Sequence, residues 1–415
     1  MKAKMVALLL VACGVAQAEP TLALRAARML DVRSGRMVRD ATVVIDGERI
    51  VAAGAGVAVP RGARIVELGD ATLLPGLIDC HTHLLARLSV DAHGYELGLL
   101  TKSSAYRALE GAANARVTLR AGFTTVRDVE NEGSGYADVA LRDAIAEGLV
   151  EGPRMLVATR AIAATGRYFP FGISPELSGF PTGAQMVTGA DEARRAAREQ
   201  LARGADLLKL YADWKTPTLT VEEMRAAVEE AHKMGRRVAA HADSVEGIRN
   251  ALAAGVDSIE HGSLADRSSL LAIKQKGAVW VPTRIAVARG VAESTDAVRR
   301  ARLQDSVARG QVSVGIARAE GVKIAAGSDA AATAHHGRNV EELFELARLG
   351  LTPLEAIRAA TVTAAELIGW QDRVGALEPG KLGDVIAVAG DPLVDLHALD
   401  RVKLVVKGGV VFRSE

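Results

Sequence analysis

The chain has 415 residues, 49% hydrophobic and 24% charged, with acids and bases mixed to a formal charge of +1. That length buries a large core and predicts one big domain plus a minor one. The even charge excludes the basic stripe that nucleic acid or an anionic membrane requires, which leaves a small neutral or weakly anionic molecule as the expected partner.

Residues 1–18 read as a signal peptide. Lys2 and Lys4 precede the apolar run from Met5 to Ala12, and Ala16-Gln17-Ala18 offers the small residues a signal peptidase accepts. Leu10-Val11-Ala12-Cys13 also fits a lipoprotein box, with Cys13 lipidated. Both readings predict an exported, periplasmic or secreted chain. The two cysteines are Cys13 and Cys80, so cleavage at either site leaves no intramolecular disulfide.

From Thr21 to Asp70 short alternating runs such as Ala41-Thr42-Val43-Val44-Ile45 are broken by Asp46-Gly47, a hairpin signal. Asp384 to Val388 and Lys403 to Val411 repeat the style at the other end. Neither piece carries enough apolar surface to fold alone. Residues 19–72 and 371–415 are therefore expected to pair into one small β-sandwich.

Between them, residues 73–370 alternate strand and helix patterns. Strand-like segments run over Leu73–His81, Thr124–Val129, Arg154–Ala161, Asp206–Tyr211, Arg237–Ala242, Ser258–His261, Ala278–Thr283 and Lys323–Ser328. Helical stretches such as Val221 to Met234 and Val245 to Ala254 separate them, and Thr352-Pro353-Leu354-Glu355 opens two more short helices. This α/β alternation predicts parallel strands with crossover helices closed into a (β/α)8 TIM barrel.

Polar residues close these strands. His81 and His83 share one face of the first, Lys209 ends the fourth, His241 the fifth, His261 the sixth, and Asp329 follows the eighth. A barrel places its chemistry at those ends. Four imidazoles and a carboxylate suit zinc or a similar first-row ion. A lysine among them would be repelled as a cation, whereas its carbamate, formed with carbon dioxide, is an anion able to bridge two metals. The expected centre has His81, His83 and Asp329 on one ion, His241 and His261 on the other, and carboxylated Lys209 between them. A water bridging two Zn2+ ions is acidified towards hydroxide, with Asp329 as the catalytic proton carrier, which predicts hydrolysis of an amide or ester. Arg160, Tyr211 and His336 are candidates to bind substrate. Tyr168, with Phe169 and Phe171, either lines an apolar pocket or packs on the rim. Cys80 reads as a small buried residue.

The motifs Leu74-Pro75-Gly76-Leu77-Ile78-Asp79-Cys80-His81-Thr82-His83, Lys209, His241-Ala242, Ser258-Ile259-Glu260-His261-Gly262, Gly327-Ser328-Asp329 and Gly380-Lys381-Leu382-Gly383-Asp384 closely resemble the metal-dependent amidohydrolase superfamily. Within it the chain resembles the imidazolonepropionase-related branch, which includes Xaa-Pro dipeptidases, N-acyl amino acid carboxypeptidases and bacterial ochratoxin A hydrolases. The resemblance implies a distorted barrel, a binuclear zinc site with a carboxylated lysine, and a high-order homo-oligomer such as an octamer. It leads to an expectation of N-acyl derivatives of apolar or aromatic amino acids as substrates. Two positions depart from the pattern: Asp243 stands where the branch often has Tyr or His, and Ala164 to Phe171 replaces a His-Gly-His type loop. Mononuclear deaminases or cyclic-amidine hydrolases of the superfamily place a glutamate at the position of Ser244 and lack the lysine, so both features favour the binuclear amide hydrolase. Cyclic imide or ester hydrolysis uses the same centre.

Overall fold

The computed structural model describes residues 21–86, 94–168, 176, 179–214 and 216–415. The expected leader at 1–18 with Cys13, and Phe169 and Phe171, lie outside the described residues.

The two chain ends meet in one eight-stranded sheet. β1 (Leu22–Asp31), β2 (Arg36–Asp46), β3 (Arg49–Ala55), β4 (Arg64–Glu67) and β5 (Ala71–Pro75) come from the start of the chain, after which β6 (Leu77–Thr82) enters the α/β body. The body contributes β7 (Phe123–Asp128), β8 (Arg154–Val157), β9 (Ala161–Ala164), β10 (Ala184–Val187), β11 (Leu207–Tyr211), β12 (Arg237–Ala242), β13 (Ser258–His261) and β14 (Val279–Val281). β15 (Val385–Ala389), β16 (Val402–Lys407) and β17 (Val410–Ser414) close the chain. The terminal sheet runs β17-β16-β15-β5-β1-β2-β3, with β4 also on β1. Its seam is the antiparallel β5–β15 pair, with Leu74 opposite Ile386. Leu22, Leu24, Val43, Ile45, Leu73, Val385, Leu404 and Val406 pack into one buried cluster on it, so apolar area from both ends supplies what neither end has alone.

Parallel strands of the body form a sheet β6-β7-β8 and a sheet β10-β9-β11-β12-β13-β14. The ladders do not close into a continuous ring. Lys323–Ser328, expected as an eighth strand, forms no ladder; it is tied in by single bridges from Trp280 to Ile324 and from Thr82 to Ala330. Cys80 donates its N–H to Ala326 at 2.8 Å, and Asp329 donates to His81 at 2.8 Å. Close approach explains the irregularity: a Cβ on Gly327 would stand 2.5 Å from Val281 and 2.7 Å from the His81 Cβ.

The single strand expected over Arg154–Ala161 is two, β8 and β9. Thr159 between them sits at φ +59°, held by its hydroxyl bond to Gln200 at 2.9 Å and by Asp138, which accepts its N–H at 2.9 Å. A β-branched residue in the left-handed region breaks a ladder and re-aims the residue after it. Helices cross between strands as the periodicity predicts. Val221–Lys233 opens on a Thr220/Glu223 capping box, and Pro353–Ala359 on a Thr352/Glu355 box with proline in its first turn.

Candidate metal centre

The strand register aligns the polar ends. Tyr211 pairs with His241, His241 with Glu260 and Ala242 with His261 across β11, β12 and β13. His81 is buried in β6, and Asp329 is held beside it by its backbone bond.

Three of the four imidazoles face a polar partner at 3.0 Å or closer. His81 Nδ1 lies 2.7 Å from Glu260 Oε2, and Glu260 in turn accepts Arg127 at 2.7 Å and Ser258 at 2.5 Å. His83 Nδ1 lies 3.0 Å from Glu132 Oε1, and its Nε2 is 3.3 Å from Asp329 Oδ1. His261 Nδ1 meets the Thr283 hydroxyl at 2.7 Å. Ligand atoms of His81, His261 and Asp329 all lie within 4.8 Å of one another, a grouping that could hold a metal ion. It takes in His261, which the sequence reading placed on the other ion, and His83 reaches Asp329 from the side. His81 and His261 rings are 4.8 Å apart, and His261 and His241 rings 4.6 Å.

The donor set suits a divalent cation. A ligating histidine gives its other ring nitrogen to a carboxylate or hydroxyl, as His81 and His261 do here, while His83 Nδ1 stands 3.0 Å from the Glu132 carboxylate as an ion-pair contact. His241 Nε2 is buried without a hydrogen bond, 3.5 Å from Asp243 Oδ2. Lys209 is 1% exposed, and among the described residues its Nζ has no hydrogen bond or ion pair; its nearest ring is Tyr211, 5.7 Å away.

Burial lowers the Lys209 amine, which favours the neutral form that reacts with carbon dioxide. Burial and the Lys209 charge hold His81 well below its ordinary value, and burial with His241 brings His261 to about 3. Burial also acts to lower His83, but Glu132 and Asp329 outweigh it and push it up to about 10. For Asp329 burial opposes ionisation, and the His83 contact with the neighbouring imidazoles overrides it, holding the carboxyl well below the usual range.

These groups line a cavity of about 400 Å³. His81, His83, Lys209, His241, His261, Asp329, Tyr168 and Tyr211 all reach it, with Asp243 in the wall. Arg160 and His336, expected to bind substrate, are not among its lining residues. After the turn at Thr159, Arg160 points along β10 and donates to Ala184 O at 2.6 Å. His336 is buried, neither ring nitrogen has a hydrogen-bond partner among the described residues, and burial lowers it to about 3.

Sequence reasoning missed Glu130, Glu132, Thr283 and Trp214, and gave Glu260 no role. Glu260 had a signal, since it sits inside a strand where an unpaired acid is costly. Strict alternation would send neighbours Glu260 and His261 to opposite faces, but His261 lies at φ +65° and turns back. Asp329 at φ +50° and Thr283 at φ +47° are re-aimed likewise, a concentration of backbone strain typical of functional sites.

Residues 72–411 match the Amidohydrolase family. Ochratoxinase of Aspergillus niger is 31% identical over 92% of this chain and 84% of its own length, and its crystal structure superposes with a TM-score of 0.83 at 28% identity over 95% of this chain and 96% of that one. A Xaa-Pro dipeptidase solved with methionine bound in its active site has a TM-score of 0.85 at 31% identity, covering 95% of this chain and 100% of that one. An imidazolonepropionase of Symbiobacterium thermophilum is 27% identical over 86% of this chain and 87% of its own length.

Proposed function

This chain belongs to the amidohydrolase family and is a hydrolase acting on C–N bonds, and from that premise we propose that it cleaves the peptide-like amide bond of N-acyl amino acids or dipeptides, ochratoxin A-type Phe amides included. The observation that carries this reading is the convergence of His81, His83, Lys209, His241, His261 and Asp329 on one cavity. Similarity to an ochratoxinase and to a Xaa-Pro dipeptidase supports an amide as the target.

Two divalent ions, zinc or similar, fit this donor set, with His81, His83 and Asp329 for one, His241 and His261 for the other, and carboxylated Lys209 between. When bound they supply Lewis acidity towards the scissile carbonyl and acidify water. Asp329, ionised and in reach of His83, takes the proton of the attacking water and gives it to the leaving nitrogen. Glu260 and Thr283 fix His81 and His261 by hydrogen bonds and Glu132 faces His83 as an ion-pair partner, so little reorganisation accompanies the step. The surrounding scaffold in this proposal is a distorted (β/α)8 barrel over 73–370, with 19–72 and 371–415 folded as a composite sandwich. The chain is exported by its leader and assembles as a homo-oligomer.

The test is a panel of N-acyl amino acids and dipeptides, varied in the C-terminal side chain, given to the zinc-loaded protein. Release of the free amino acid is expected. Ring deamination, or opening of cyclic imides or esters with no amide cleavage, would contradict the reading.

A further inference from the structure

Asp243 follows β12 and is pinned at three points. Its N–H donates to Asp213 Oδ1 at 2.8 Å, its carbonyl accepts the Leu264 N–H at 2.9 Å, and its Oδ1 accepts the Ser263 N–H at 3.1 Å. Asp213 is itself fully buried, and its Oδ2 takes the Ser244 N–H at 2.8 Å and the Ser244 hydroxyl at 2.5 Å. Gly247 leaves room for that carboxylate, since a Cβ there would stand 1.9 Å from Asp213 Oδ2. The turn after β12 is held from both sides, and it directs the other carboxylate oxygen of Asp243, Oδ2, at His241 Nε2, 3.5 Å away.

The four imidazoles do not present the same nitrogen to their surroundings. His81, His83 and His261 each turn Nδ1 to an oxygen, on Glu260, Glu132 and Thr283, which leaves Nε2 for an ion. In His241 the nitrogen that faces an oxygen is Nε2, and it is buried. A neutral imidazole carries one N–H, and the nitrogen beside an acceptor keeps it. His241 is thereby left to ligate through Nδ1. An ion on Nδ1 draws electrons from the ring and makes Nε2–H a stronger donor, so a charge-assisted bond of about 2.8 Å to Asp243 lies one small side-chain movement away.

We propose that Asp243 is a positioning residue for the second ion: its carboxylate keeps the His241 proton on Nε2 and so fixes Nδ1 as the ligand atom. The inference rests on the two-ion reading of the site. It gives the fourth imidazole the carboxylate partner that a metal-bound histidine uses to set its tautomer and ring orientation. Asp243 lines the cavity, and its task there is to hold a ligand of the ion, not to touch the substrate.

Asparagine is the discriminating replacement. It keeps the shape of Asp243 but has one carbonyl oxygen for two donors, the Ser263 N–H and the His241 Nε2–H. Two readouts are taken, neither of which needs turnover. The first is the solid-state 15N spectrum of the zinc-loaded, histidine-labelled wild type, with the His241 signals assigned by their absence from His241→Gln. His81, His83 and His261 are expected with Nδ1–H, and His241 with Nε2–H and a zinc-shifted Nδ1. The second is stepwise metal loss to a chelator. In Asp243→Asn the second ion should be held about 10- to 100-fold more weakly and the first within about twofold of wild type, with an unchanged melting curve of the metal-free protein. His241 carrying Nδ1–H like the other three, or Asp243→Asn holding both ions as wild type does, overturns the proposal. Both ions weakened equally with a lowered metal-free melting curve also overturns it, since the effect is then one of folding. Uptake of a single ion by the wild type overturns the two-ion reading instead. The His241 tautomer then decides the inference separately: Nε2–H with a zinc-shifted Nδ1 sustains it, and Nδ1–H ends it.

Discussion

The two ends of the same parallel strands treat charge in opposite ways. At the foot, Asp257 accepts the Val238 N–H at 2.8 Å and pairs with Arg237 and with His232, while Asp206 accepts the Val157 N–H at 3.1 Å and pairs with Arg142 at 2.7 Å. Each acid there meets both a backbone donor and a cation. At the top, His241 Nε2 is buried with no hydrogen-bond partner among the described residues, and four non-glycine residues lining the cavity, Glu132, His261, Thr283 and Asp329, hold left-handed backbone. An unsatisfied buried polar group costs about 1–3 kcal/mol, and a strained residue a similar amount. A fold that satisfies its charges at one end and leaves them open at the other is arranged for stability at the first and for a ligand at the second.

The comparison is most exposed at Asp329. Asp329→Asn should keep the fold and lower kcat by a factor of about 100 or more, the usual effect of losing a general acid/base. A near-normal rate with unchanged melting would remove Asp329 from the chemistry. Glu260→Gln should act through His81, lowering metal affinity about 10- to 100-fold as measured by competition with a chelator, because the imidazole loses the carboxylate that fixes it.

At the foot the expectation inverts. Asp257→Asn should cost about 1–3 kcal/mol of stability in denaturant unfolding while kcat stays at the wild-type value. A large loss of activity without loss of stability would show that the ends do not divide in this way.

The smallest effect concerns the helix Arg284–Glu293, which carries Ala286 and Val287 into the cavity wall. Glu342 caps it, accepting the N–H groups of Arg284 at 3.0 Å and Ile285 at 2.7 Å, and burial pushes its carboxyl up to about 8. A folded-state value above the unfolded one means the native state holds the proton more tightly. The stabilisation is full below about 4.5 and is lost as pH rises to about 8. Melting temperature should therefore fall between pH 6 and pH 8.5, and Glu342→Gln should flatten that slope. A slope unchanged in the variant would assign it to other groups.

The top of the structure was legible where chemistry and periodicity coincide. His81, His83, Lys209, His241, His261 and Asp329 each close an apolar run, and the structure brings all six to one cavity. The pairing of the chain ends was legible too, because neither had the apolar residues to fold alone. What the sequence hid is set by backbone conformation. Nothing in Ala158-Thr159-Arg160 announces a left-handed threonine, so Arg160 was expected in the site and lies instead against Ala184. Tyr211 was expected to bind substrate and Tyr168 to line a pocket or pack on the rim; that both phenols are committed to Glu130 depends on the space at Gly183, a tertiary contact with no local signature.

The central claim is that the open end of the strands holds two ions bridged by carboxylated Lys209, and metal stoichiometry tests it most directly. Elemental analysis of carefully prepared wild-type protein alongside Lys209→Ala should give about two zinc-like ions per chain for the first. The variant should show a clear loss of metal together with loss of activity, and short carboxylic acids should restore part of that activity. One tightly bound ion per chain at full activity, or a Lys209→Ala protein with wild-type metal content and rate, would contradict it.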